Sequence, residues 1–302
     1  MQIKKKIKES IKNRQLFQNI FYFLLMKMNF CSHNTILKIK NDRAYYKIRR
    51  KYKKYLDKEN YKFEIYTKND MDNIIWIFWY QGMENAPELI KKCYQSVKKN
   101  LNNYKIILLD KNNYMSYVDI PDYIIEKFEK KMITITHFSD LLRSAILVKY
   151  GGLWLDATVY CSGNKEIEMI EKKDFFVYRN AWWNSDTIDM ESWLIYSKKN
   201  NVILKKTLEL LYIYWKKNNY LCNYFIFHLF FKLAKEKYKD EWEGVPYITQ
   251  INNHLLAYDM EKREKFDKER INYIFKITDF HKLNYKTSLE KSGIYEKIIN
   301  NC

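Results

Sequence analysis

From residue 74 onwards, unbroken apolar runs alternate with stretches of helical periodicity. Ile74-Ile75-Trp76-Ile77-Phe78-Trp79 contains no polar position and is rich in β-branched and aromatic side chains, which predicts a strand buried on both faces. Ala86-Pro87-Glu88 opens a helix that runs to about Asn100: proline fits a first turn, and an acid there favours the positive end of the helix dipole. Tyr104-Lys105-Ile106-Ile107-Leu108-Leu109 reads as a second strand ending at Asp110, and Pro121 starts a second helix through about Lys131. A third helix, mostly apolar and so mostly buried, is predicted from an N-cap at Ser139 to the stop at Gly151-Gly152. Leu153-Trp154-Leu155 then restarts a strand with Asp156 at its end. Past residue 190 the pattern turns helical, first over Asn201 to Lys217 with Ile203, Leu204, Leu208, Leu211, Tyr212 and Trp215 on its apolar face, then over Tyr220 to Lys235. The strand–helix alternation between 74 and 160 predicts an α/β fold, a mostly parallel sheet flanked by helices, with a helix-rich C-terminal part.

Composition supports a folded chain of this size. Of 302 residues, 47% are hydrophobic and 17% aromatic, while glycine and proline number only 6 and 3, which excludes disordered and collagen-like readings. The five cysteines are scattered without a C-x-x-C pair, and no small-residue cleavage site follows an apolar run near the N-terminus. Both features predict a reducing, cytosolic setting rather than a disulfide frame or a zinc site.

Charge changes the picture more. Residues 1–60 carry 17 Lys and Arg against 4 Asp and Glu, whereas the rest of the chain carries 37 against 32. A composition boundary near residues 60–73 thus separates a basic helical extension, residues 1–70, from a domain spanning 71–302. Between Lys4–Lys8 and Arg49–Lys54 lies the apolar stretch Leu16–Met26, interrupted by Gln18 and Asn19 and too short to span a bilayer. Two readings fit: an interfacial helix whose Phe and Leu side chains enter an anionic membrane surface, or a helix packed on the protein's own body. A nucleic-acid-binding protein would carry its basic excess through the fold. The near-neutral remainder argues against that, so no nucleic-acid partner is expected.

Three residues stand out as candidate chemistry. Asp140 and Arg143 lie three apart on one helix face, and Asp156 ends a strand, where open α/β sheets bind their ligands. Each alone has a structural explanation: Asp140 as a dipole partner, Arg143 as its counter-ion, Asp156 as a turn cap. Together they suit a sugar diphosphate, with a carboxylate to hold a divalent cation, an arginine for phosphate or sugar oxygens, and a second carboxylate for sugar hydroxyls. No P-loop, G-x-G-x-x-G, H-E-x-x-H or G-x-S-x-G motif is present, which leaves ATPase, dinucleotide, zincin and serine-hydrolase readings unsupported.

Ile74–Trp79, Phe138-Ser139-Asp140-Leu141-Leu142-Arg143 and Tyr150-Gly151-Gly152-Leu153-Trp154-Leu155-Asp156-Ala157-Thr158 resemble the bacterial capsular polysaccharide synthesis proteins. More distantly they resemble D-x-D glycosyltransferases of GT-A fold, a group that includes yeast outer-chain mannosyltransferases and clostridial glucosylating toxins. The likeness runs from about residue 70 to about 295. It implies that Asp140 and Arg143 hold the donor sugar, that Asp156 contacts the nucleotide sugar and its Mn2+ or Mg2+, and that Trp79 stacks on the nucleobase. Gly152 and Thr158 fall in the same donor-binding segment. Thr158 stands where the second D-x-D acid is expected, and a hydroxyl is a poorer ligand for a hard cation. His281 is a candidate to make good that loss, beside Lys282 as a diphosphate contact. Asn223 and His228 are candidates for the acceptor side, and Trp182-Trp183 for stacking on sugars. The resemblance implies a retaining hexosyltransferase using a nucleotide sugar, with UDP-sugars foremost. Its product would be a capsular or surface glycan built on a lipid-linked acceptor at the inner face of the cell membrane. A catalytically inactive glycan-binding relative is the alternative that Thr158 keeps open.

Overall fold

The computed structural model describes residues 7, 10–11, 14–67, 73–181, 187–262, 265–286 and 293–300. Trp182 and Trp183, and the lysines of the Lys4–Lys8 cluster, lie outside the described residues. Two helices come first, α1 (Leu16–Lys27) and α2 (His33–Tyr52). The alternating part follows with β1 (Ile74–Phe78), α3 (Glu88–Asn100), β2 (Lys105–Leu109), α4 (Asp122–Glu129), α5 (Ile135–Tyr150), β3 (Gly152–Asp156) and β4 (Val159–Cys161). The chain continues through α6 (Lys165–Glu171), β5 (Phe175–Arg179), β6 (Met190–Ser197), α7 (Val202–Lys217), α8 (Ile226–Lys237) and α9 (Lys239–Glu243). It closes with α10 (Leu255–Glu261), α11 (Lys268–Ile277), β7 (Phe280–Lys282) and α12 (Gly293–Asn300).

The main sheet has five strands in the order β2-β1-β3-β6-β5. β1 pairs in parallel with β2 and β3, whereas β6 is antiparallel to both β3 and β5, so four strands point one way and β6 points back. The mostly parallel α/β sheet that the sequence predicts is therefore present. β1 shows why: Ile74, Trp76 and Phe78 pack into the core on one face, and Ile75 and Ile77 into the core on the other. One face is covered by α5, α7 and α8 and the other by α3 and α6. A third, smaller core joins Leu89 and Cys93 of α3 to Leu256, Met260, Ile271 and Ile274 of α10 and α11.

Three details depart from the sequence reading. The N-cap of α5 is Thr134, whose hydroxyl accepts from the His137 amide, so Ser139 lies inside the helix, where its hydroxyl accepts from Arg143. α8 begins at Ile226 rather than Tyr220, and β6 is a strand where only helix was expected. α2, inside the basic segment, shares the main core: Tyr45, Ile48 and Tyr52 are buried there, and the Tyr45 hydroxyl donates to Glu236. α1 differs, since Phe17, Ile20, Phe21, Phe23 and Leu24 are exposed and only Tyr22 is buried. Among the described residues no helix is long and apolar enough to cross a membrane.

Candidate functional site

The parallel strands end on a cavity of about 980 Å³. Register explains its position: Phe78 sits opposite both Leu109 and Asp156, so the carboxyl ends of β1 and β3 deliver Trp79 and Asp156 to the same edge. α5 supplies Ser139 and Arg143 to the wall, and the segment around α10 supplies His254, Leu255 and Tyr258 to the opposite side. The fourth contribution comes from a second, two-stranded sheet. β4 leaves the D-x-T segment and pairs antiparallel with β7, setting Val159 against Lys282, and the Leu283 amide donates to the Thr158 carbonyl at 2.9 Å. That pairing places Lys282 directly beside Asp156 and Thr158.

The inner wall is a closed polar network. Both Asp156 oxygens have cationic partners, Oδ1 with Arg143 Nη2 at 3.3 Å and Oδ2 with Lys282 Nζ at 3.2 Å. Trp154 Nε1 also donates to Oδ1, at 3.1 Å. Burial pushes the Asp156 carboxyl up, yet Lys282 and then Arg143 outweigh it, and the net shift is downward. The Arg143 guanidinium, only 4% exposed, is fixed on every side: Nη1 donates to the Ser192 carbonyl, Nη2 to Ser139 Oγ at 3.2 Å, and its plane lies 5.2 Å from the Trp154 ring centre. Nη2 also stands 3.5 Å from Asp140 Oδ1. Behind it Trp215 Nε1 donates to His137 Nε2 at 2.9 Å, and the remaining ring nitrogen of His137 meets Asp140 Oδ2 at 3.3 Å. A Trp215–His137–Asp140 chain thus orients Asp140, which in turn orients Arg143.

Asp140, Arg143 and Asp156 are therefore together, though not in equivalent places. Arg143 and Asp156 line the cavity, whereas the Asp140 side chain, 9% exposed, stands one layer back with its oxygens turned to Arg143 and His137. This departs from the expectation that Asp140 touches the sugar. Also on the cavity wall, Trp79 meets Tyr285 edge-to-face with ring centres 5.5 Å apart, and its buried Nε1 has no partner among the described residues. Thr158 also lines the wall, its hydroxyl accepting from Lys282.

Other expected residues are placed elsewhere. Gly152 opens β3 at its amino end, away from the cavity, at φ +94°, where an added Cβ would lie 2.7 Å from the Ile74 carbonyl oxygen. Its role is this close approach of two strands, not donor contact. His281 is fully buried on β7, where Ser162 Oγ meets its Nε2 at 2.8 Å, and burial pushes its imidazole down to about 3. It faces Tyr160 and Phe275 and supplies nothing to the Asp156 corner. Asn223 ties the chain down, donating to Asn41 and accepting from the Phe225 amide, and the neighbouring Tyr224 lines the cavity in its place. His228 lies within the electrostatic reach of Asp140, Arg143 and Asp156 without lining the wall; burial holds its imidazole neutral, down to about 4. Asp110 accepts from the Asn112 amide and caps its own turn.

The sequence pattern names Lys282 only as a diphosphate contact beside His281, and gives no place to His137 or Glu191. Glu191, largely buried on β6 near Lys282 and Asp156, has a carboxyl pushed up to about 7, first by burial and then by Asp156, with Lys282 opposing. A resident divalent cation does not fit this corner. Asp156 is the carboxylate of this corner, and both its oxygens and the Thr158 hydroxyl are already engaged by Arg143 and Lys282, so an ion would have to displace a cation to reach them. No group of three or more His, Cys, Asp or Glu able to hold a metal gathers among the described residues.

Fold and site together define an α/β protein with a deep ligand cavity at the carboxyl edge of its sheet. The chain belongs to the capsular polysaccharide synthesis protein family, whose profile matches residues 4–301. The match takes in the basic N-terminal segment, beyond the 70–295 span marked by the motifs. No curated protein matches the chain. Solved structures similar to it include a glycosyltransferase involved in glycosylation of the major capsid of PBCV-1, at 15% identity and TM-score 0.38, over 74% of this chain and 98% of that one. The PaToxG glycosyltransferase matches at 15% identity and TM-score 0.39, over 89% and 97%. The apo-form glycosyltransferase GlyE of Streptococcus pneumoniae TIGR4 matches at 12% and 0.39, over 76% and 62%. These overlays are loose, and the assignment rests on the family match.

Proposed function

We propose that this chain is a glycosyltransferase of capsule synthesis, moving a hexose from a nucleotide sugar to a growing capsular or surface glycan. One observation carries the reading: a single cavity lined both by the charged cluster of Arg143, Asp156 and Lys282 and by the aromatic pair Trp79–Tyr285. The charged cluster suits a diphosphate and the aromatic pair a nucleobase. Arg143 and Lys282 stabilise the negative charge that builds on the departing nucleoside diphosphate. The closed network behind Arg143 keeps that charge in position before the reaction begins. Tyr224 borders the acceptor side. The sequence resemblance adds retention of configuration, which the anomeric proton signal of the product reads out.

The test is hydrolysis and transfer across UDP-, GDP- and CDP-sugars. Wild-type protein should turn over one nucleotide class, and Asp156→Asn, which removes the charge between Arg143 and Lys282, should lower kcat by at least about a hundredfold. Full activity in Asp156→Asn at saturating donor would remove this corner from the mechanism.

The N-terminal helix supports contact with an anionic membrane face as part of the same reading. Phe17, Ile20, Phe21, Leu24 and Met28 form an exposed stripe at helical spacing on and just past α1, with Phe17 87% exposed, next to the basic residues of α2. The full-length protein should sediment with phosphatidylserine-containing vesicles, less so at high salt. The double substitution Phe17→Asp and Phe21→Asp should abolish the binding while leaving donor hydrolysis intact.

A further inference from the structure

We propose that the Lys282 ammonium is a built-in cation that takes the place of a divalent metal against the donor diphosphate. The inference rests on the reading above, that a nucleoside diphosphate sugar enters this cavity.

The placement of Lys282 comes from backbone, not from a wandering side chain. β7 pairs with β4 immediately after the D-x-T segment, and the Leu283 amide closes on the Thr158 carbonyl, so residue 282 is clamped beside residues 156 and 158. Its ammonium donates to Asp156 Oδ2 at 3.2 Å and to Thr158 Oγ1, and it lines the cavity. An ammonium has three donors, so these two bonds leave one for a phosphate oxygen.

Charge points the same way. Asp156 is flanked by two permanent cations, Arg143 and Lys282, and Asp140 also stands beside Arg143, so the four side chains balance and Lys282 is the cation with a donor to spare. A divalent ion entering here would have to displace Lys282 from both its partners. At contact distance the two cations repel. The departure at position 158 also becomes intelligible. A second aspartate would suit a metal, while a threonine hydroxyl is a poor ligand for one and a good acceptor for an ammonium. Thr158 and Lys282 thus make up one arrangement.

Calorimetric titration with UDP, GDP and CDP, in EDTA and then in MnCl2, tests this on the full-length protein. The tightest of the three should bind with affinities in the two buffers that agree within about threefold. Lys282→Met should weaken it in EDTA by about tenfold to a hundredfold, the range of a lost charge-assisted hydrogen bond, and Lys282→Arg should restore most of that. The matching nucleoside without phosphates should bind wild type and Lys282→Met equally, which a merely structural role in the β4–β7 clamp would not give. Should Lys282→Met fail to fold, the comparison of EDTA with MnCl2 on wild type and on Lys282→Arg still decides. Binding that needs MnCl2 overturns the inference and leaves the glycosyltransferase reading standing. No binding of any nucleoside diphosphate in either buffer overturns both.

Discussion

The charged and the aromatic parts of the cavity wall are built on opposite principles. At the inner wall every polar atom of Arg143 and Asp156 is engaged, the supporting residues are buried, and the elements that carry them are central to the fold. In the aromatic part, Trp79, Tyr258 and Tyr285 are half-buried or exposed, come from loops and the C-terminal part, and leave Trp79 Nε1 without a partner among the described residues. The inner wall has little freedom to adapt, and its geometry is fixed before a ligand arrives. The aromatic part offers surface whose use depends on one. A change at the first should therefore cost stability and turnover together, and a change at the second should cost affinity alone.

The largest effect belongs to Arg143. Arg143→Met leaves the Asp140 and Asp156 carboxylates facing each other in a buried wall, which should lower unfolding free energy by about 3–5 kcal/mol. Arg143→Lys keeps the charge but loses the fork that reaches Ser139, Ser192 and both acids, so it should fall between. Chemical denaturation measures both. A loss below about 1 kcal/mol for Arg143→Met would mean that water reaches the wall and that the contrast between the two parts is wrong.

Trp79→Ala is the counterpart in the aromatic part. It should weaken nucleoside diphosphate binding by about 1–3 kcal/mol, the scale of a base stacked on an aromatic ring, with little change in melting temperature. The reverse pattern, a chain that melts early but binds normally, would make Trp79 part of the core and move the base site elsewhere.

The two parts also differ in how far the sequence shows them. β1 and β3 are legible because strands buried on both faces need unbroken apolar runs, and Gly151-Gly152 marks where α5 stops. Asp156 at a strand end and the Asp140–Arg143 spacing follow from local pattern. His137 does not, because its meaning depends on Trp215, 78 residues away, and nothing near it in sequence signals that pairing. Lys282 is delivered by a three-residue strand, too short for periodicity to register. β6 is hidden because Glu191 and Ser192 interrupt its apolar run, Glu191 lying near Lys282 and Asp156 and Ser192 offering only its backbone carbonyl to Arg143. Gly152 lies in a recognisable motif, yet its glycine answers to a strand contact at the far end from the cavity.

The smallest effect is the most diagnostic of how the inner wall is balanced. Glu191 is a third acid near Asp156 and Lys282, and its carboxyl is pushed up to about 7 from an ordinary value of 4.5. Between those values the folded chain holds a proton that the unfolded chain has released. Stability from this group is therefore present at pH 5 and is lost as pH rises through 7. Glu191→Gln cannot ionise, so it should be the more stable chain at pH 8, by about 1 kcal/mol, with the difference vanishing toward pH 5. The same ionisation adds a negative charge beside the cation that faces the diphosphate. Wild-type affinity for a nucleoside diphosphate should accordingly decline as pH rises through about 7, and Glu191→Gln should flatten that decline. Melting curves at pH 5 and 8, with titrations at the same two values, separate the possibilities. Identical pH dependence in both chains would mean that Glu191 is solvated in the folded state, and the inner wall would then be two acids and two cations with no proton to exchange.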